Sequence, residues 1–121
     1  MADQNQAALT ALISELSPHC DIQGATLDVT DREALTNWFN AADAAMGGID
    51  IVINNAGIYP NVPFEDISFD DWRRVMSINL DSLFLTAKQF VPGMKERGWG
   101  RVVNVSSSTL ATPVTGYVHY V

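Results

Sequence analysis

Two β-branched runs, each emptying into a polar turn, constrain this chain more than anything else in it. The first, Ile49 to Ile53 (Ile-Asp-Ile-Val-Ile), lies between Gly47-Gly48 and the loop Asn54-Asn55-Ala56-Gly57. The second, Arg101 to Val105, runs into Ser106, Ser107, Ser108 and Thr109. Strands that are apolar on both faces belong to parallel sheets with helices packed on each side.

The segments around them have helical or strand periodicity. Ala8, Leu9, Leu12, Ile13 and Leu16 fall at helical spacing, and Pro18 punctuates the end. Gln23 to Val29 places Ala25, Leu27 and Val29 on one parity and reads as a strand. Thr30 with Glu33 three residues on has the form of a capping box, with Asp31 in the first turn. The helix it opens carries Leu35, Trp38, Phe39, Ala42 and Met46, and Gly47-Gly48 stops it. Ser68, with Asp70 and Asp71 behind it, starts a long helix whose face reads Trp72, Val75, Met76, Asn79, Leu83, Ala87 and Phe90. Pro92 is expected to kink that helix or break its last turns before Gly98-Trp99-Gly100. Helix, strand, helix, strand, long helix, strand is the order of an α/β domain with a parallel sheet. Ligands of such sheets bind beyond the carboxyl ends of the strands, here at Asp28, Asn54 to Gly57, and Ser106 to Ser108.

Composition narrows the partners. Hydrophobic residues at 47% with charged residues at 17% describe a packed chain rather than a disordered one. A net charge of -7, with no basic cluster, argues against nucleic acid. The single Cys20 permits no internal disulfide and reads as a packed or partly exposed thiol in a reducing compartment. The N-terminus lacks a basic region followed by an apolar one, and no run approaches the roughly 18–20 apolar residues that would span a bilayer, so no membrane role and a cytoplasmic location are expected.

Three features form a constellation. The loop Asn54-Asn55-Ala56-Gly57 follows one buried strand, Ser107 ends the next, and Tyr120 follows Ser107 by 13 positions. On these features the chain resembles the short-chain dehydrogenase/reductase family over nearly its whole length. The resemblance implies an incomplete Rossmann-like doubly wound parallel sheet with three of the family's strands present. The chain then reads, over residues 1–121, as a partial dinucleotide-binding and catalytic domain. It implies an NAD(P)-dependent oxidoreductase that interconverts a secondary alcohol and a ketone.

Hydride transfer at a carbinol carbon requires a proton to leave or join the substrate oxygen. A phenol can serve only if nearby positive charge pulls its pKa below about 10. A serine hydroxyl can hold the same oxygen. The resemblance thus implies Tyr120 as acid/base and Ser107 as substrate-oxygen donor, in preference to Tyr117, Ser106 or Ser108. His119 has no orienting carboxylate at a recognisable position and reads as a surface or pocket-wall residue. Asn79 completes the catalytic group by resemblance, helping to hold a proton-relaying water. The other reading of Asn79 is structural, an amide tying the helix to neighbouring backbone.

For the cofactor, Asp28 and Val29 match the family's acidic pair beside adenine. Asn55, Ala56 and Gly57 would lie against the adenosine ribose, and Asp3 would bond its hydroxyls and reject the extra phosphate of NADP. NAD is therefore preferred, and Met1-Ala2 could be the tail of a further strand. No metal site is expected. Ile58, Tyr59, Pro60 and the segment 110–114 would shape the substrate pocket, and parent enzymes would be homodimers or homotetramers.

Two family features are not found among the 121 residues: the glycine-rich turn that holds the pyrophosphate, and the lysine four positions after Tyr120. The strand near Gln23 is expected to be separated from that near Ile49 by two strands the chain does not have. The expectation is a chain poorly folded and inactive on its own. An interaction module working through the long helix and a nucleotide-binding protein without redox chemistry are the alternatives.

Overall fold

The computed structural model describes residues 1–112 and 114–121. Among these residues four short strands and four α-helices follow in the order β1 (Ala2–Asp3), α1 (Gln6–Leu16), β2 (Ala25–Thr26), α2 (Arg32–Met46), β3 (Ile51–Asn54), α3 (Phe69–Met76), α4 (Ser82–Glu96) and β4 (Arg101–Asn104). Every strand pair is parallel. β1 pairs with β2, Ala2 opposite Ala25, and β3 pairs with β4 from Ile51 opposite Arg101 to Asn54 opposite Asn104. The two pairs are separate two-stranded sheets. Met1-Ala2-Asp3 therefore does contribute a strand, one of the two expected to be missing beside β2.

Local chemistry sets the helix ends. The side chain of Asn5 accepts from the Ala8 amide to open α1. The start of α2 departs from the capping box read at Thr30 and Glu33. Asp31 is the N-cap, its carboxylate accepting from both Glu33 and Ala34 amides at 3.1 and 3.0 Å. Thr30 is occupied instead by Asp28, so the cap falls one residue later. Gly47 closes α2 in the left-handed region at φ 69°, where a side chain would be strained. Ser68 and Asp71 do form a capping box at α3.

The long helix is not uniform. Between α3 and α4, Ser77–Asp81 form a π-helical turn with Asn79 at its centre. Such wide turns insert a residue into the helix, and they are frequent at functional sites. Downstream of it, the inward side is Ser82, Phe90 and Met94 rather than Leu83 and Ala87. The helix also runs through Pro92 to Glu96 instead of breaking there. The expected strand 23–29 is regular only at Ala25–Thr26, because β1 offers it just two partners.

The core gathers Leu27, just past β2, with Leu35 and Phe39 of α2, Val52 of β3, and Phe90 and Met94 of α4. Phe39 and Phe90 meet edge to face with centroids 4.9 Å apart. Arg97 ties the end of α4 to the start of β3, donating to Asp50 Oδ1 at 3.1 Å and to the Ile49 carbonyl. Cover of the β3–β4 pair is partial, and all four residues of β4 are exposed. Val52 is buried, whereas Ile51, Ile53, Val102, Val103 and Val105 are exposed, so the two-sided cover expected of these strands is not present among the described residues.

Candidate active site

Parallel pairing of β3 with β4 brings their carboxyl ends to one edge, and the loop Asn55-Ala56-Gly57 and residue Ser107 both start from that edge. The edge is tied by side chains as well as by backbone. Asn54 Nδ2 donates to Asn104 Oδ1 at 2.8 Å, and Thr86 Oγ1 of α4 donates to Asn54 Oδ1 at 2.9 Å. Nothing in the periodicity of the two strands singles out Asn104 or Thr86. Their signal is positional, polar residues closing two otherwise apolar strands and facing one another across the pair.

Asn79 is committed to this loop. Its Oδ1 accepts from the Ile58 amide at 2.9 Å, and its Nδ2 donates to the Ile58 carbonyl at 2.8 Å. Both halves of the amide are thereby used, in a partly buried place, on the residue next to Gly57. The structural role weighed for this side chain is thus present in full.

Ser107 is half-buried at the end of β4 and caps a short 3-10 turn, Ser108–Leu110. Its Oγ accepts from the Thr109 amide at 3.3 Å and from Thr109 Oγ1 at 3.0 Å, which leaves its own proton free to be donated. Tyr120 is half-buried on a turn in which the Tyr120 and Val121 amides donate to the Tyr117 carbonyl. The rings of Tyr59 and Tyr117 lie 6.2 and 6.0 Å from that of Tyr120. Tyr59 and Tyr120 thus meet across 61 positions of sequence. Among the described residues Ser107 and Tyr120 make no direct hydrogen bond.

His119 differs from expectation. It is 1% exposed, and neither ring nitrogen has a hydrogen-bond partner. The turn that keeps Tyr120 accessible directs its neighbour inward. Asp71 senses this neighbour. Its carboxyl is held below the ordinary value by the Ser68 hydroxyl and amide, with smaller contributions from His119 and Arg74.

At the other sheet pair, Asp3 and Asp28 are exposed at the strand ends. Asp28 Oδ1 accepts from the Thr30 amide and hydroxyl, both at 2.8 Å, and these bonds hold the carboxyl below its ordinary value. Its second oxygen takes part in no hydrogen bond among the described residues, so it can accept from an exocyclic amine. Asp3 Oδ1 accepts from the Asn5 amide at 2.8 Å, again leaving one oxygen. Val29 is half-buried beside Asp28, while Asn55, Ala56 and Gly57 are exposed. Asp3 and Asp28 thus each keep an oxygen that a ligand could reach. Leu110 and Val114 of the expected pocket segment are exposed, and Pro113 lies outside the described residues. Among the described residues no three His, Cys, Asp or Glu side chains cluster as a metal site would require, and no helix is long and apolar enough to cross a membrane.

Known proteins share the sequence and the fold of this chain. The family model for short chain dehydrogenase matches residues 1–121. The chain is 42% identical over 80 residues to an acetoacetyl-CoA reductase of Cupriavidus necator, covering 66% of this chain and 32% of the relative. It is 42% identical over 91 residues to a gluconate 5-dehydrogenase of Gluconobacter oxydans, covering 74% and 36%. It is 41% identical over 105 residues to a 2-keto-3-deoxy-L-fuconate dehydrogenase of Xanthomonas campestris, covering 87% and 33%. The chain thus spans about a third of the length of these relatives. In fold it is similar to a metagenomic short-chain oxidoreductase solved in complex with NADP, with a TM-score of 0.89 at 23% identity over 98% of this chain and 55% of the other. Doubly wound parallel topology, the Asn-Asn-Ala-Gly loop and the Ser107–Tyr120 spacing now stand beside a family match along the full sequence: the chain belongs to the short-chain dehydrogenase family.

Proposed function

We propose that this chain carries the substrate-oxygen and adenosine-binding parts of an NAD(P)-dependent oxidoreductase that interconverts a secondary alcohol and a ketone. The observation that carries the reading is the shared edge of β3 and β4. Both the Asn55–Gly57 loop and Ser107 follow from that edge, and the Tyr120 ring lies 6.2 Å from that of Tyr59.

In this reading the Ser107 hydroxyl donates to the substrate oxygen, since its lone pairs already accept from Thr109. Tyr120 exchanges a proton with that oxygen, and a cation beside its phenol is needed to lower its pKa toward the working range. The family's lysine four positions on would supply that cation. Asn79 holds Ile58, and through it the loop, at a fixed distance from the helix. Asp28 and Asp3 take the adenine amine and the ribose hydroxyls. Bound nicotinamide cofactor supplies the hydride acceptor or donor. A carboxylate at the ribose repels a phosphate on the same sugar, so we assign NAD as the preferred cofactor. The residues that would hold the pyrophosphate are not among these 121, and the chain alone is proposed to be inactive.

The test is a completed chain: these residues joined to a first strand with its glycine-rich turn and to a lysine-bearing helix from a full-length family member. Tyr120→Phe should lower alcohol oxidation by about 10²–10⁴-fold while NAD still binds. Retention of activity in Tyr120→Phe would remove Tyr120 from the acid/base role.

A further inference from the structure

We propose that Thr109 is a positioning residue for the reaction: its hydroxyl fixes the direction of the Ser107 proton and strengthens that proton's donation to the substrate oxygen. This rests on the reading that Ser107 holds that oxygen.

A serine hydroxyl has one proton, two acceptor lone pairs and a rotating C–O bond, so alone it can point its proton several ways. At Ser107 that freedom is removed. The Thr109 hydroxyl donates to Ser107 Oγ at 3.0 Å, and the Thr109 amide donates to the same atom at 3.3 Å. Both lone pairs are thereby engaged, and the direction left around the oxygen is the proton's. The amide contact lies just beyond the usual N–H···O range of about 2.7–3.2 Å, so the hydroxyl is the stronger hold. Ser106 and Ser108 flank the serine, but both are exposed and neither takes part in these bonds.

The fold supplies the means. β4 ends at Asn104, and Ser107 caps the 3-10 turn Ser108–Leu110, which curls the chain so that the residue two positions on meets the serine oxygen. Thr109 is half-buried there, and its branched Cβ restricts χ1, so its hydroxyl stays where it donates. Aligned hydroxyls polarise one another, and one that accepts becomes a better donor. The relay from Thr109 O–H to Ser107 O–H to substrate oxygen thus presents a donor oriented before charge develops on that oxygen. An effect of this kind is stronger in the transition state than in the bound substrate, so it belongs in kcat rather than KM.

The experiment uses the completed chain with cyclohexanol and NAD. Thr109→Val keeps the branched shape and the amide but removes the hydroxyl. It is expected to lower kcat by about 2–10-fold, the factor equivalent to one ordinary hydrogen bond, with KM unchanged. Thr109→Ser keeps the hydroxyl and loses the methyl group, and is expected to recover most of kcat; a packing role would give the reverse order. NAD affinity and the circular dichroism spectrum serve as folding controls. In a Ser107→Ala background Thr109→Val should cost nothing further, since Thr109 acts only through Ser107. An unchanged kcat in Thr109→Val, or a loss of equal size with and without the Ser107 hydroxyl, would overturn the assignment. So would a Thr109→Ser variant as impaired as Thr109→Val. A Ser107→Ala variant as active as its parent instead fails the reading of Ser107 as the substrate-oxygen donor, and the Thr109 assignment with it. A completed chain that does not oxidise the alcohol fails the redox reading first, and both assignments follow.

Discussion

Asn79→Ala removes a clamp whose value can be worked from its geometry. Two hydrogen bonds, of 2.9 and 2.8 Å, join the amide to both backbone groups of Ile58 in a partly buried setting. A typical intramolecular hydrogen bond contributes about 0.5–1.5 kcal/mol net, so the pair contributes about 1–3 kcal/mol. That energy opposes local opening of the loop. Every 1.4 kcal/mol is tenfold in an opening equilibrium, so the Ile58 amide should exchange with solvent about 5–150-fold faster in Asn79→Ala. Native-state hydrogen exchange on the completed chain measures this directly, with Val103, in the ladder between β3 and β4, as an amide whose rate should not move. Asn79→Asp sharpens the assay. A carboxylate can still accept from the Ile58 amide but cannot donate to its carbonyl, so protection should fall only part of the way. If activity were lost in Asn79→Ala while Ile58 exchanged at its original rate, the clamp would be refuted.

Two further outcomes are expected. Phe90→Ala should cost about 3–5 kcal/mol in urea unfolding of the completed chain, since Phe90 is buried edge to face on Phe39 in the main cluster; a loss under 1 kcal/mol would mean this cluster is not the core. Asp28 should titrate below the ordinary carboxylate range because Thr30 donates to it twice. A depressed folded pKa contributes stability above the unfolded value of about 3.9, and that contribution is lost as pH falls through the lower folded value. Carbon NMR of the Asp28 carboxyl should show its midpoint moving upward in Thr30→Val, and an unmoved midpoint would deny the hydroxyl its role.

Much of the fold was legible because its signals are local. The spacing of Leu9, Leu12, Ile13 and Leu16, the stop at Gly47 and the cap at Ser68 each act within one or two helical turns, and the structure has helix boundaries at those places. The π-turn was not legible. An inserted residue changes no composition, so the stripe read through Asn79 reached the buried Phe90 correctly but passed through the half-buried Leu83 and Ala87 instead of the buried Ser82. The cap of α2 was misplaced because Thr30, Asp31 and Asp28 all have suitable oxygens, and only the fold decides that Thr30 serves Asp28. In the candidate site, Ser107 and Tyr120 were marked by their separation, but the meeting of Tyr59 with Tyr120 depends on the junction of Asn61 and Val62 with Thr115 and Gly116. The burial of His119 likewise follows from the direction of a turn rather than from any residue type.

The separation of β1–β2 from β3–β4 has a thermodynamic consequence. Among the described residues no ladder crosses between the pairs, and Leu27 and Val52 meet in one core cluster. An adenosine group bound by Asp3 and Asp28 on one pair and by Asn55 to Gly57 on the other would bridge them. Ligand and fold are then linked quantities: at a hundred times its Kd, such a ligand raises the free energy of unfolding by about 2.7 kcal/mol. The same linkage makes affinity fall wherever the seam between the pairs is loosened, so a substitution at Leu27, remote from any ligand atom, should register as weaker binding.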